Sequence, residues 1–376
     1  MIDSVVFQMY RGQYHIERNN KFDSLRRKTG RGFSVDSASC EKYFREQKAK
    51  GVYCPIVSNP KNKRGYKDPQ ETIEIQVSLP KLVYGTNVYE IEENDLDLIF
   101  DNLKNCLRGF GVIVSVSSLR EAIIKRADFS KNIELPDYLG KANQVIYTLS
   151  KFDYKTRSEF NFNQYQGNKG IWIKFYNSTQ GFCIYDKYAE IVNNGYTEKE
   201  KDIKKKIEQN ELFRNLTKLE LSFQRKDSFE SFLRKRINKN RDFTLTDMLN
   251  RELSRNILIE SFDRVFSNLV MGLISLSEME DNKIWAIMEK RELSIKKQEK
   301  LYYWTRMATK NGITGTFNHL KTQYKGSSFS RNKKEINSIL EELKEEIIGN
   351  MPNLISFLRS QIDEFKLIKP QRKLNL

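Results

Sequence analysis

Strict two-residue alternation over ETIEIQVSL at 71–79 is the feature that most narrows the folds open to this chain. Ile73, Ile75, Val77 and Leu79 share one side of an extended segment, and Glu74, Gln76 and Ser78 share the other. A strand of this kind buries one face and leaves the second free for polar work. That pattern belongs to an antiparallel sheet backed on one side.

Further strands are expected in IDSVVFQMY near the start, in AIIKRADFS at 122–130, and in TKLELSFQ at 217–224. GIWIKFY and FCIYDKY supply two more around a hairpin connection at Ser178–Gly181. Helical spacing appears in DLDLIFDNLKNCLRGFG, entered through Asn94 or Asp95 and ended by the glycines at 109 and 111. FESFLRKRI and the heavily charged EKEKDIKKKIEQNE at 198–211 are also read as helices. The fold class expected is α+β, an antiparallel sheet or sheets backed by helices, followed by a mostly helical region. The expected domains are residues 1–242, with an irregular basic insertion at 19–70, and residues 243–376 as a helical DNA-binding or accessory domain. Helical runs are expected at 245–278, 281–308 and 333–347, and NPKNKRGYKDP at 59–69 as an exposed basic turn.

With 65 basic against 49 acidic residues the chain carries a formal net charge of +16, which favours a polyanionic partner, nucleic acid first. No apolar stretch approaches the roughly 20 residues that span a bilayer, and the opening MIDSVVFQMYRG lacks a secretory pattern. Cys40, Cys54, Cys106 and Cys183 are scattered without a CxxC pair, which suits a reducing cytoplasm. His15 and His319 stand apart, so a histidine-held zinc is disfavoured, and no GxxxxGK[ST] loop supports ATP hydrolysis.

The candidate chemistry lies in carboxylates and a phenol. Glu74, Asp128 and Glu220 stand on strand faces, and hard ions such as Mg²⁺ or Mn²⁺ prefer oxygen ligands of this type. Tyr196 heads the basic helix and could serve as a nucleophile if a cation or base assists it. Lys187 could steady a developing phosphate charge, with Asp186 and Glu190 as supporting groups. A plainer reading stays open for each: a lysine-paired acid, a residue at a helix cap, a lysine at a strand end in water. For phosphate contact the candidates are Arg126, Lys199, Lys204, Lys205, Lys218, Arg234, Lys235 and Arg236. Lys201, Lys206, Lys239 and Arg241 extend the same basic groups, and the tail IKPQRKLNL forms a basic arm. Tyr302, Tyr303, Trp304 and Arg306 mix rings with charge in the helical region, where core packing is the first expectation for Tyr303 and Trp304.

Several of these stretches together resemble the replication initiators of filamentous phages and the related phage and plasmid initiator family, the strand-nicking enzymes of rolling-circle replication. They are MID at the start, IEIQVSLPKLVYGTNVY at 73–89, RADFS at 126–130, IYDKYAEI at 184–191, GYTEKEKD at 195–202 and TKLELSF at 217–223. Tyr196 precedes Glu220 by 24 residues, an interval similar to the family's. The likeness is best over 70–240. Lys218 and Ser222 depart from its basic residues on either side of the glutamate.

The resemblance implies a metal-dependent tyrosine nickase and strand-joining enzyme, with Tyr196 forming a 5′-phosphotyrosyl link and Lys187 in support. Glu74, Asp128 and Glu220 would hold Mg²⁺ or Mn²⁺. Supercoiled double-stranded origin DNA and single-stranded DNA would be the substrates. Host helicase, polymerase and single-strand-binding protein would be partners, with a homo-oligomer on DNA as a further expectation and no membrane contact. The setting implied is the cytoplasm of a bacterial or phage-infected cell. A relaxase or transposase with the same chemistry, or a non-catalytic basic DNA-binding replication protein, are the alternatives.

Overall fold

The structure is a computed structural model that describes residues 1–17, 20–29, 32–60, 72–151, 161–167, 170–209, 215–223, 226–237, 242–266, 273, 276–277, 279–324, 326–343 and 353–370. Its strands are β1 (Ile2–Tyr10), β2 (Tyr14–Ile16), β3 (Asp23–Thr29), β4 (Gly32–Ser39), β5 (Ile56–Pro60) and β6 (Thr72–Ser78). They continue with β7 (Val112–Val114), β8 (Ile123–Glu134), β9 (Asn161–Gly167), β10 (Gly170–Tyr176), β11 (Gln180–Asp186) and β12 (Leu216–Phe223). The helices of the first part are α1 (Glu41–Ala49), α2 (Leu79–Tyr84), α3 (Leu96–Gly109), α4 (Val116–Glu121), α5 (Ala142–Lys151), α6 (Lys187–Asn194), α7 (Glu198–Glu208) and α8 (Lys226–Arg234). Those that follow are α9 (Leu245–Met248), α10 (Arg251–Val265), α11 (Asp281–Lys290), α12 (Ile295–Gln323), α13 (Ser327–Glu342) and α14 (Asn353–Glu364).

Among the described residues, ten strands form one sheet in the order β3-β4-β5-β6-β1-β8-β12-β11-β10-β9. Every neighbouring pair in it is antiparallel. The expected α+β class, an antiparallel sheet backed by helices with a mostly helical region after it, is what the chain adopts. The alternation seen at 71–79 runs across the sheet. Val5, Phe7 and Met9 of β1, Ile73, Ile75 and Val77 of β6, and Leu219 and Leu221 of β12 are all buried in one core. Apolar residues of α3, α5, α8, α10 and α14 join the same core, so helices cover that face. The opposite face carries Glu74, Gln76, Ser4, Asp128, Glu220, Tyr185 and Trp172, partly open to solvent.

Two expectations about organisation change. Residues 19–70 hold β3, β4, α1 and β5, which extend the sheet beyond β6. Ladder hydrogen bonds, which need no apolar alternation, form these outer strands, so the composition gave no sign of them. The basic turn expected at 59–69 lies mainly outside the described residues, as do Lys239, Arg241 and most of the tail. The helical region also divides elsewhere than at 242. Phe243–Phe266 and Ile355–Phe365 contribute to the sheet's core, whereas a second core gathers Leu273, Leu276, Trp304, Phe317 and Leu340. The chain leaves the first core after α10 and returns to it with α14. Trp304 is buried there as expected, while Tyr303 is exposed.

Among the contacts that fasten the return, one carboxylate is deeply buried. Glu90, 3% exposed, accepts hydrogen bonds from Lys131 Nζ at 2.9 Å, Asn132 N at 2.9 Å and Ile368 N at 3.0 Å. Burial is the largest influence and opposes its charge, but the Lys131 ammonium, the N-terminal ammonium and the hydrogen bonds from Lys131 and Ile368 together hold the Glu90 carboxyl below the usual carboxylate value. The stability this contributes is therefore complete above the unfolded pKa, near 4.5, and is lost as pH falls through the lower folded value. Glu90→Ala leaves Lys131 buried without its counter-charge and is expected to cost about 3–5 kcal/mol. Urea unfolding at neutral pH checks the loss, and its shrinkage in acid checks the sign.

Candidate active site

Neighbouring strands stack the polar-face residues into rungs. Ser130, Glu220, Cys183, Lys174 and Asn163 form one, and Asn132, Lys218, Tyr185, Trp172 and Tyr165 form the next. Across β8 and β1, Asp128 faces Ser4 and Ser4 faces Ser78 of β6. Asp128 and Glu220 therefore approach one another on adjacent strands. Glu74 does not join them. It faces Gln8, four residues along β1 from Ser4, about 13 Å away at the rise of a strand.

β1 also lies between β6 and β8, so the three expected metal ligands are not on neighbouring strands. Glu74 pairs instead with Lys125. It lines a cavity of about 300 Å³ with Ile56, Ser58, Arg126 and Lys226. The trio expected from the sequence is thus corrected to a pair, and among the described residues no three His, Cys, Asp or Glu side chains are gathered closely enough to hold a metal ion unaided.

A residue that sequence reasoning left out completes the acidic group. Ile2 faces Phe129 and Ser4 faces Asp128, so Asp3 is the additional residue of a β-bulge. Its carboxylate reaches Lys218, with which it forms a buried ion pair. Simple alternation places Asp3 with Val5 and Phe7 on the core side, which is why it escaped notice. The only signal for it lay in the opening MID.

Charges in the cluster shift one another. Burial opposes ionisation of Asp3, but Lys218 and Lys187 prevail and keep it below the usual carboxylate range. Burial pushes Asp128 up, against the Ser4 hydroxyl that donates to it and the charge of Arg126. Glu220 is pushed up to about 7 by burial together with Asp3 and Asp128, while Lys218 and a 3.1 Å hydrogen bond from the Tyr185 hydroxyl pull the other way. One oxygen on each of two carboxylates, Asp3 Oδ1 and Asp128 Oδ1, is buried with no hydrogen-bond partner among the described residues. Such atoms are costly unless something binds them.

Two buried lysines face these acids. Lys218 is no surface phosphate contact, since it is 1% exposed, and Asp3 and Glu220 hold its ammonium above the ordinary value despite burial. Lys187 opens α6, with no exposure at all, and donates to Asn87 Oδ1 at 2.7 Å and to Glu190. Burial, assisted by Lys218, holds its pKa down. The strand-end lysine in water is therefore set aside. Asp186 caps α6 through the Ala189 amide, and Glu190 serves Lys187.

Tyr196 is half-buried just before α7. Thr197 and Glu200 form a reciprocal cap: the Glu200 amide donates to Thr197 Oγ1 at 3.0 Å, and Glu200 Oε2 accepts from the Thr197 amide at 3.3 Å. The same oxygen accepts from the Tyr196 amide at 3.0 Å. Two glycines let neighbouring turns close on this segment. At Gly51, with φ +75°, a Cβ would sit 2.7 Å from Glu198 Oε1 and 3.3 Å from the Tyr196 carbonyl. Gly85, with φ +72°, accepts from Thr197 Oγ1 at 2.6 Å through its carbonyl.

Lys48 and Lys81 lie 5.0 and 5.2 Å from the centroid of the Tyr196 ring. Lys81 also pairs with Glu200 at 2.7 Å and acts on the Asp3 and Glu190 charges. Tyr53 bridges in the same way. Its hydroxyl accepts from Ser78 N at 2.5 Å, and its ionisation is opposed by both Tyr196 and Asp3. Lys81 and Tyr53 are thus neighbours common to Tyr196 and Asp3. Burial, Glu200 and Cys54 push the Tyr196 pKa up, so the protein alone does not activate the phenol.

The basic candidates differ in accessibility. Lys199 and Lys205 are exposed along α7, and Lys204 donates to the Val192 carbonyl at 3.4 Å. Arg126 borders the cavity beside Glu74. Arg234 pairs with Glu230 at 3.4 Å, and Lys235 is exposed. Arg236 is engaged by Glu260 and lies 3.5 Å over the Phe232 ring.

Comparisons of the chain with family models, with curated proteins and with solved structures return no match. Among the described residues, no helix is long and apolar enough to cross a membrane. What the site can do is argued from its own chemistry. Because Asp128 raises the Glu220 pKa, Asp128→Asn is expected to lower the Glu220 midpoint from about 7 toward the ordinary 4.5. Carboxyl carbon shifts followed by NMR through the titration check this.

Proposed function

We propose that this face nicks and rejoins one strand of DNA by phosphodiester transfer to Tyr196, as in the initiation and termination of rolling-circle replication. The observation that carries the proposal is the pair of unpartnered buried oxygens on Asp3 and Asp128, beside Glu220 and two buried lysines. Mg²⁺ commonly binds one or two protein carboxylates and completes its shell with water and substrate phosphate, so the absence of a three-ligand cage fits that ion. Asp3 and Asp128, with Glu220 beside them, would hold Mg²⁺ or Mn²⁺ through their two unpartnered oxygens, and the ion when bound would supply charge neutralisation at the scissile phosphate.

The remaining steps belong to side chains. Lys218 and Lys187 place buried positive charge beside the cluster, where negative charge on the transferring phosphate is stabilised. The Tyr196 oxygen bonds to phosphorus as the bond to the 3′-oxygen breaks, and the phenol proton is balanced by the 3′-hydroxyl released. Rejoining reverses these changes, and no nucleotide hydrolysis is needed. Exposed Lys199 and Lys205 on α7 suit the flanking backbone. Supercoiled origin DNA, with host helicase, polymerase and single-strand-binding protein acting afterwards, is the proposed context.

The test is a suicide oligonucleotide carrying the nick site, incubated with and without Mg²⁺ or Mn²⁺. Wild type is expected to form a cation-dependent 5′ adduct and Tyr196→Phe none, with DNA binding retained. Asp3→Asn is expected to slow adduct formation about 100-fold or more, while Glu74→Gln leaves it unchanged. An adduct that survives in Tyr196→Phe and vanishes in Tyr185→Phe would transfer the role to the phenol that touches Glu220. DNA retention without any adduct would leave a non-catalytic binding protein.

A further inference from the structure

We propose that the β9–β10–β11 end of the polar face seats the unpaired bases of a single DNA strand, with Trp172 and Tyr165 as the stacking platform and Lys174 as a phosphate contact. The proposal rests on the strand-transfer reading only for the choice of DNA as the polymer. It concerns residues that the sequence reading did not select.

The rings sit on the wrong face for a core. On β10 the inward residues Ile173 and Phe175 are buried, yet Trp172 and Tyr176 project with Lys174 to the polar side. Tyr165 of β9 faces Trp172 directly, with ring centroids 3.9 Å apart and an 11° angle between planes. Tyr165 is 38% exposed despite this contact. The Asn163 amide nitrogen lies 2.9 Å from the Tyr165 hydroxyl and 3.2 Å from that of Tyr176, which braces both phenols. A cross-strand pair that merely firmed an edge hairpin needs ring contact alone.

Gly181 and Tyr185 lie on β11, between these rings and the strand that carries Glu220. Gly181 faces Tyr176 on one side and Ser222 on the other. A Cβ there would come within 3.0 Å of Lys174 Cε and 3.3 Å of Ser222 Oγ, so the glycine lets the lysine lie across the strand. Trp172 faces Tyr185, whose hydroxyl meets Glu220. Two strand spacings, about 10 Å, separate β10 from β12. Flat rings with an interleaved cation match a polymer that alternates flat bases with phosphates, and a duplex keeps its base faces stacked inside.

The experiment measures binding of the full-length protein to a fluorescein-labelled oligothymidylate, to an abasic strand of equal length and to a duplex, all with divalent ions chelated. At 1–3 kcal/mol per stacked base, Trp172→Ala is expected to weaken oligothymidylate binding by about 5- to 150-fold. Abasic and duplex binding should stay unchanged, and Trp172→Phe should bind as wild type. Lys174→Ala is expected to weaken oligothymidylate and abasic strands alike and to reduce the salt slope by about 0.7. No loss in Trp172→Ala, an equal loss on the abasic strand, or tighter binding of oligouridylate by wild type overturns the proposal. Base-dependent binding without any adduct in the suicide assay would overturn the chemistry alone. An intact adduct with base-independent binding would overturn the platform alone.

Discussion

The site depends on a single extra residue in β1. Without the bulge at Asp3, β1 would pair evenly with β8 and the Asp3 carboxylate would point among Val5, Phe7 and the apolar helices. With it, the carboxylate enters the polar face and meets Lys218 across β8. A lysine ammonium as deeply buried as Lys218 needs a counter-charge, since desolvation otherwise drives it neutral. The bulge and the lysine therefore require one another. A second irregularity in the same ladder frees Lys125 between Ile124 and Arg126 and presents it to Glu74. Both bulges re-aim a charged residue, the role for which such defects are retained beside functional sites.

The two ion pairs divide the polar face into regions of different character. Around Asp3, acids and lysines are buried together and shift each other's protonation, so the group responds as a unit to any charge that arrives. Around Glu74 the pair is about a quarter exposed on each side, and solvent screens it. That contrast explains why Glu74 and Glu220, alike in sequence as acids amid apolar strand neighbours, end in unlike roles. Tyr196, capped onto α7, is linked to the first region through Lys81 and Tyr53, which interact with both Tyr196 and Asp3.

Much of the architecture was legible because period-two patterns specify which face of a strand is buried. The segment 71–79 assigned every side of β6, and Arg126 with Asp128 took a common face as their spacing required. Register was not legible. Which residue of β6 faces which residue of β1 is a tertiary fact, and it separates Glu74 from Asp128 by four positions. Local alternation also hides a bulge, so Asp3 was invisible while Asp128 was not. The outer strand β3 carries no apolar period and β4 only the short one of Phe33 and Val35, and the return of α14 to the first core rests on contacts far away in the chain, Ile368 with Glu90 among them.

For the proposed strand transfer, an incomplete acidic cluster would be a mechanistic asset. A cage of three or four protein carboxylates would hold a divalent ion tightly whether or not DNA were present, and would leave few positions for phosphate oxygens. Two unpartnered oxygens and a glutamate whose pKa is pushed up to about 7 would make a weaker holder, one that the substrate of the proposed reaction would complete. The raised pKa of Tyr196 fits the same logic. In the proposed reaction, a phenol kept protonated by burial and Glu200 would stay quiet until phosphate and cation arrive together, which would confine cleavage to a correctly seated strand. The proposed stacking end of the face would add the other half of that condition, since rings at β9 and β10 suit only a strand whose bases have been released from a duplex.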